Sequence, residues 1–156
     1  MSQALWMRLR EVAWSDFETS SGNGERIPRL LQDISSRKIP RAIKACHMVW
    51  KQLCSGGIHP AAEPTLPFLI ELSQLVTADV KLEILDILKS CAFSLSKLED
   101  KEPWQEQTWA TLAQALPIFR KMLGKGRGEE SEFINIAAES VIEILETDSH
   151  RKSQEK

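Results

Sequence analysis

A chain of 156 residues and 17.7 kDa, 42% hydrophobic and 27% charged, holds enough apolar material for one core but too little length for a second domain, and its composition excludes a disordered or fibrous chain. Twenty basic and twenty-two acidic residues leave a formal charge of −2, which excludes whole-molecule attraction to a phosphate backbone. In residues 1–11 Arg8 and Arg10 follow Leu5 and Trp6, the reverse of a secretory signal, and no run reaches the ~18 apolar residues of a membrane span. A cytoplasmic protein is expected.

Strand signals are nearly absent, whereas apolar residues recur at helical spacing along most of the chain, so the fold class is all-α. A first helix over residues 3–12 aligns Leu5, Leu9 and Val12, and the soft run 19–24 is a loop. From Glu25 a second helix carries Ile27, Leu30, Leu31 and Ile34 on one face, with Pro28 in its first turn. A third, over residues 39–53, has Pro40 at its start, Gly56-Gly57 beyond its end, and a buried stripe of Ile43, Cys46, Val49, Trp50 and Leu53. Residues 64–76 form a fourth helix. The fifth, 79–98, holds Val80, Leu82, Ile84, Leu85, Ile87, Leu88, Cys91, Ala92 and Leu95; so narrow a polar strip makes it the central helix, covered on two sides. A sixth, 102–123, is kinked at Pro117, the glycine-rich run 124–128 is a solvated connection, and a last helix spans 129–146. The single domain covers residues 1–147, with a polar, frayed tail at 148–156.

Cys46, Cys54 and Cys91 show no metal-ligand spacing and are expected as reduced, buried thiols. His47, His59 and His150 form no His-x-x-x-His pair, and no nucleophile elbow is present. No catalytic residue, metal or cofactor is therefore assigned, and the chain is not expected to be an enzyme. Trp50, Trp104 and Trp109 are expected in the core. Trp6 and Trp14 either cover the first apolar unit or anchor a partner.

Charge is segregated. Residues 26–51 contain seven basic side chains and one acidic, Asp33, and Arg41, Lys44 and Lys51 share a helical face. Residues 129–148 contain seven acids and no base, and Glu132, Glu139, Glu143 and Glu146 share a face opposite Ile134, Ala138, Val141 and Leu145. These seven charged residues are the candidate partner-binding set, because an oppositely charged partner would be steered toward either strip.

One short pattern occurs three times: Ile27-Pro28-Arg29-Leu30-Leu31, Leu66-Pro67-Phe68-Leu69-Ile70 and Leu116-Pro117-Ile118-Phe119, at intervals of 39 and 50 residues. Each leads through a turn into a second apolar helix, near the ~40 to 47-residue period of HEAT and armadillo units. The block Pro64-Thr65-Leu66-Pro67-Phe68-Leu69-Ile70-Glu71-Leu72 and the turn Ser55-Gly56-Gly57-Ile58-His59 before it resemble small bacterial HEAT-repeat proteins regarded as immunity proteins for polymorphic toxins. The likeness spans residues 14–95. Cys54-Ser55, Gly57 and His59 stand where that family has His-Gln, Thr and Tyr.

The resemblance implies an α-solenoid of about three HEAT-like helix pairs plus an N-terminal helix, neutralising a cognate bacterial toxin by stoichiometric binding. A generic assembly scaffold is the alternative, followed by a helical-repeat nucleic-acid binder using the 26–51 strip.

Overall fold

The three-residue-and-four spacing of apolar side chains resolves into eight α-helices in a computed structural model, which describes the backbone of residues 3–124 and 128–154 and the side chains of 4–124 and 128–147. Helix α1 (Gln3–Glu11) leads into a 3-10 turn (Trp14–Asp16) and a two-residue antiparallel ladder, β1 (Glu18–Thr19) with β2 (Gly22–Asn23), Glu18 facing Asn23. This small hairpin lies in the segment read as loop; two pairs of polar residues carry no alternating apolar pattern to announce it. Helix α2 (Ile27–Ile34) then buries Ile27, Leu30, Leu31 and Ile34, and α3 (Ile39–Cys54) buries Cys46, Val49 and Leu53.

Helix α4 (Ala62–Ser73) includes Pro67 on its exposed side, and α5 (Ala78–Ser96) buries eight of the nine apolar residues assigned to it, leaving Leu82 half-buried. The single kinked sixth helix of the sequence reading is instead two: α6 (Pro103–Gln114) and α7 (Leu116–Lys121). Pro117 lacks the N–H that would carry the first ladder onward, so it starts a new helix, where the missing donor costs nothing. At the other end of α6, Gln105 Oε1 accepts from the Glu102 N–H at 2.8 Å, half of a capping box. Helix α8 (Glu129–Gln154) runs eight residues past the expected boundary, through what was read as tail. Apolar periodicity ends near Leu145, yet no glycine or proline interrupts 129–154, so no helix-breaking residue marks the expected boundary. Residues 125–127 of the glycine-rich connection, and the side chain of His150, lie outside the described residues.

Packing is ordered in two layers. Helices pair as α2 on α3, α4 on α5 and α7 on α8; between pairs, α2 meets α4 and α4 meets α6 on one side, while α3 meets α5 and α5 meets α8 on the other. Contacts between α3 and α5 advance together along both helices: His47 to Glu83, Trp50 to Ser90, Cys54 to Cys91. The two therefore run in the same direction. Lys81 and Ile134, each near the start of its helix, line one cavity, so α8 runs parallel to α5 as well. Helix α5, fully covered at Ile84, Leu85, Leu88, Cys91, Ala92 and Leu95, is the middle of that layer. Helix α1 docks on the opposite layer, through Trp14 against Phe68 at 6.0 Å and Arg8 to Glu71 at 2.6 Å.

Candidate protein-binding face

Trp50 is the main departure from the expected core. It lies at the margin of the α3 stripe, 40% exposed, and its Nε1 donates to Ser90 Oγ on α5 at 3.0 Å. A tryptophan with a satisfied N–H and an open ring face suits a wet interface better than a core. Ser90 and Phe93 are three residues apart on α5 and share a face; Phe93 is 53% exposed, with Lys97 Nζ 4.8 Å from its ring centre. One and two turns back, the same face carries Asp86 and Glu83. Glu83 Oε2 meets His47 Nε2 at 3.0 Å. Burial pushes the Asp86 carboxyl up from its usual range, the neighbouring Glu83 adds to this, and Lys89 and His47 oppose it. Together α3 and α5 present a ridge of His47, Trp50 and Phe93 edged by carboxylates.

The basic strip lies on the flank of α3 turned away from α5. Arg41 and Lys44 join Arg26 and Arg29 around a groove of about 530 Å³ between α2 and α3, floored by Leu30, Ala45 and Met48. Glu25 and Asp33 also line it, but among the described residues none of the four cations has a carboxylate within ion-pairing distance. Lys51 does not line this groove; it is exposed farther along α3, and its carbonyl accepts from Ser20 Oγ at 2.6 Å, tying the hairpin loop to the helix.

The acidic strip is on α8. Glu132, Glu139 and Glu143 are exposed, whereas Glu146 is engaged by Arg120 at 2.6 Å and so belongs to the α7/α8 contact. Between these acids Phe133 and Ile136 are 56% and 54% exposed, an apolar pair that the sequence reading passed over. The signal was present: at 100° per residue Ile136 falls about opposite Ala138, Val141 and Leu145, which are buried, and Phe133 falls to one side of that stripe. The two charged strips do not converge. Helix α5 stands between them, so the seven residues assigned to partner binding form two separate surfaces.

Of the remaining chemistry, His59 Nε2 lies 2.7 Å from the Ser55 carbonyl oxygen and holds the turn after α3. Among the described residues no cluster of three or more His, Cys, Asp or Glu could hold a metal ion, and no helix is long and apolar enough to cross a membrane. All three cysteines are free and buried, and Cys54 Sγ lies 3.5 Å from Cys91 Sγ. Sequence spacing compared only Cys46 with Cys54; the contact with Cys91 depends on the register of α3 on α5. Burial, with Glu83 nearby, pushes the Cys46 thiol up to about 12, and the hydrogen bond with Cys54, then burial, raises Cys91. Thiolate is the reactive form, so an aromatic disulfide reagent at neutral pH is expected to label neither Cys46 nor Cys91 rapidly in the folded protein. All three should react in denaturant; rapid labelling of Cys91 without denaturant would contradict its burial.

None of the family models, curated proteins or solved structures compared with this chain matches it.

Proposed function

We propose that the chain is a protein-binding module, an α-solenoid of three HEAT-like hairpins, α2/α3, α4/α5 and α6–α7/α8, with α1 covering one side. The observation that carries this reading is the distribution of exposed apolar side chains. Of the eight large ones among the described residues, six lie on α3, α5 and α8: Ile39, Met48, Trp50, Phe93, Phe133 and Ile136. Exposed tryptophan and phenylalanine beside segregated charge make a surface suited to desolvated anchors with electrostatic steering. The solenoid reading is supported by the parallel course of α3, α5 and α8 and by hairpins that touch mainly their neighbours.

In its most concrete form the partner is a bacterial toxin, bound one to one in the cytoplasm and neutralised without bond-making. That form rests on the resemblance of residues 64–72. A nuclease toxin has a basic phosphate-binding cleft, and the acidic face of α8 fits such a cleft by charge. The test is affinity co-purification of the full chain from its native cell, with mass spectrometry to identify the captured protein and light scattering on the reconstituted complex for stoichiometry. A one-to-one complex weakened at least about tenfold by Trp50→Ala with Phe93→Ala is the expected result; no complex, or one indifferent to both changes, rejects the reading. Charge reversal by Glu139→Lys with Glu143→Lys should slow association at low salt by about tenfold and converge with the wild type at high salt. An on-rate that does not change excludes α8 from the contact.

A further inference from the structure

The two outer helices of the α3–α5–α8 layer end the molecule in complementary ways. On α3 the flank turned away from α5 opens as the groove floored by Leu30, Ala45 and Met48 and rimmed by Arg26, Arg29, Arg41 and Lys44. On α8 the surface outside its buried stripe carries Phe133 and Ile136 with Glu129, Glu132 and Glu143 around them, all exposed. Stacked helical pairs normally close with a polar outer surface. Here one end shows two large apolar side chains set among acids, and the other shows an apolar floor set among four cations and two acids, Glu25 and Asp33, with no ion pair to any of the four cations among the described residues.

We infer that these ends fit each other, and that the occupant of the α2/α3 groove is α8 of a second copy of this chain. Phe133 and Ile136 would cover Met48 and Leu30, and the flanking glutamates would meet the arginine and lysine rim. The contact continues the layer, with α3 of the next copy following α8 as α8 follows α5. Different patches meet, so the interface is heterologous, and it closes into a ring or extends as an open chain according to the rotation between copies. This goes beyond the proposed reading and does not depend on it, since it is measured on the chain alone.

The experiment is sedimentation velocity on the purified full chain, from about 5 to 500 µM at ~50 mM and ~500 mM salt, the range in which small, charged interfaces exchange. The weight-average mass is expected to rise above 17.7 kDa with concentration at low salt, and to fall back at high salt. Two variants then assign the surfaces: Arg41→Glu with Lys44→Glu, and Glu132→Lys with Glu143→Lys. Each alone should remain monomeric, because its altered face no longer complements the unaltered one. Mixed in equal amounts they should assemble, because the first variant keeps the acidic face of α8 and the second keeps the basic groove. All four positions are exposed, and a circular-dichroism melt verifies that each variant is folded. A wild type that stays monomeric throughout, assembly that survives either reversal, or a mixture that stays monomeric overturns the inference.

Discussion

Truncation of Leu88 to alanine is expected to lower stability by about 2–5 kcal/mol, the usual range for a buried leucine whose site cannot collapse. Leu88 is fully buried in the middle of α5, and α5 is packed by α3, α4, α6 and α8. A void at that point has walls from several helices, each held by its own contacts, so little relaxation can fill it. For a chain of this size the melting temperature should fall on the order of 10 °C. Urea titration is the direct measurement: the midpoint should move with little change in slope. Phe93→Ala on the same helix is the control, since Phe93 is largely exposed; its effect should stay within about 0.5 kcal/mol. Comparable losses from the two substitutions would mean that α5 is not the covered centre of the fold.

The second large effect is expected at Trp14. Its ring is buried against Phe68, and its Nε1 donates to the Leu9 carbonyl at 2.7 Å, so one side chain ties the end of α1 to α4. Trp14→Ala removes both the packing and the donor and should cost about 3–5 kcal/mol. Trp14→Phe keeps most of the apolar contact but leaves the Leu9 carbonyl without this donor, and should cost about 1–2 kcal/mol. Arg8, which meets Glu71 and lies over the buried Phe68 ring at 5.7 Å, is itself about half-exposed in its ion pair, and Arg8→Ala should fall within about 1 kcal/mol. Amide exchange distinguishes local from global loss: α1 amides alone should lose protection in the alanine variant if docking of α1 is the role of Trp14. Uniform loss across α5 would place Trp14 in the central core instead.

These two sites differ in how far they could be read in advance. Leu88 sits in an apolar stripe so broad that only a helix covered on two sides could carry it, and that argument needs nothing beyond α5 itself. Trp14 sits outside any long periodic segment; its burial depends on α1 folding back across Phe68, more than fifty residues away. Trp50 shows the same limit from the other side. Its position at the edge of the α3 stripe is compatible with burial or exposure, and the outcome is set by how close α5 approaches. Pro117 illustrates a choice between two local results, a kink or a new start, that depends on whether Phe119 can reach the core; it does, and is fully buried.

Amino-acid order alone determined the all-α class, the helical faces that seek burial, the central position of α5 and the opposite charges of α3 and α8. Each of these follows from side chains a few residues apart, whose relative directions a helix sets without reference to the rest of the chain. Only the tertiary structure decided that the two charged strips lie on opposite flanks of α5, that Cys54 meets Cys91, and that Trp50 and Phe93 share an open ridge. Those outcomes depend on the register and spacing of helices distant in the chain, where many packed arrangements satisfy the same apolar pattern and the fit of all the helices together selects one.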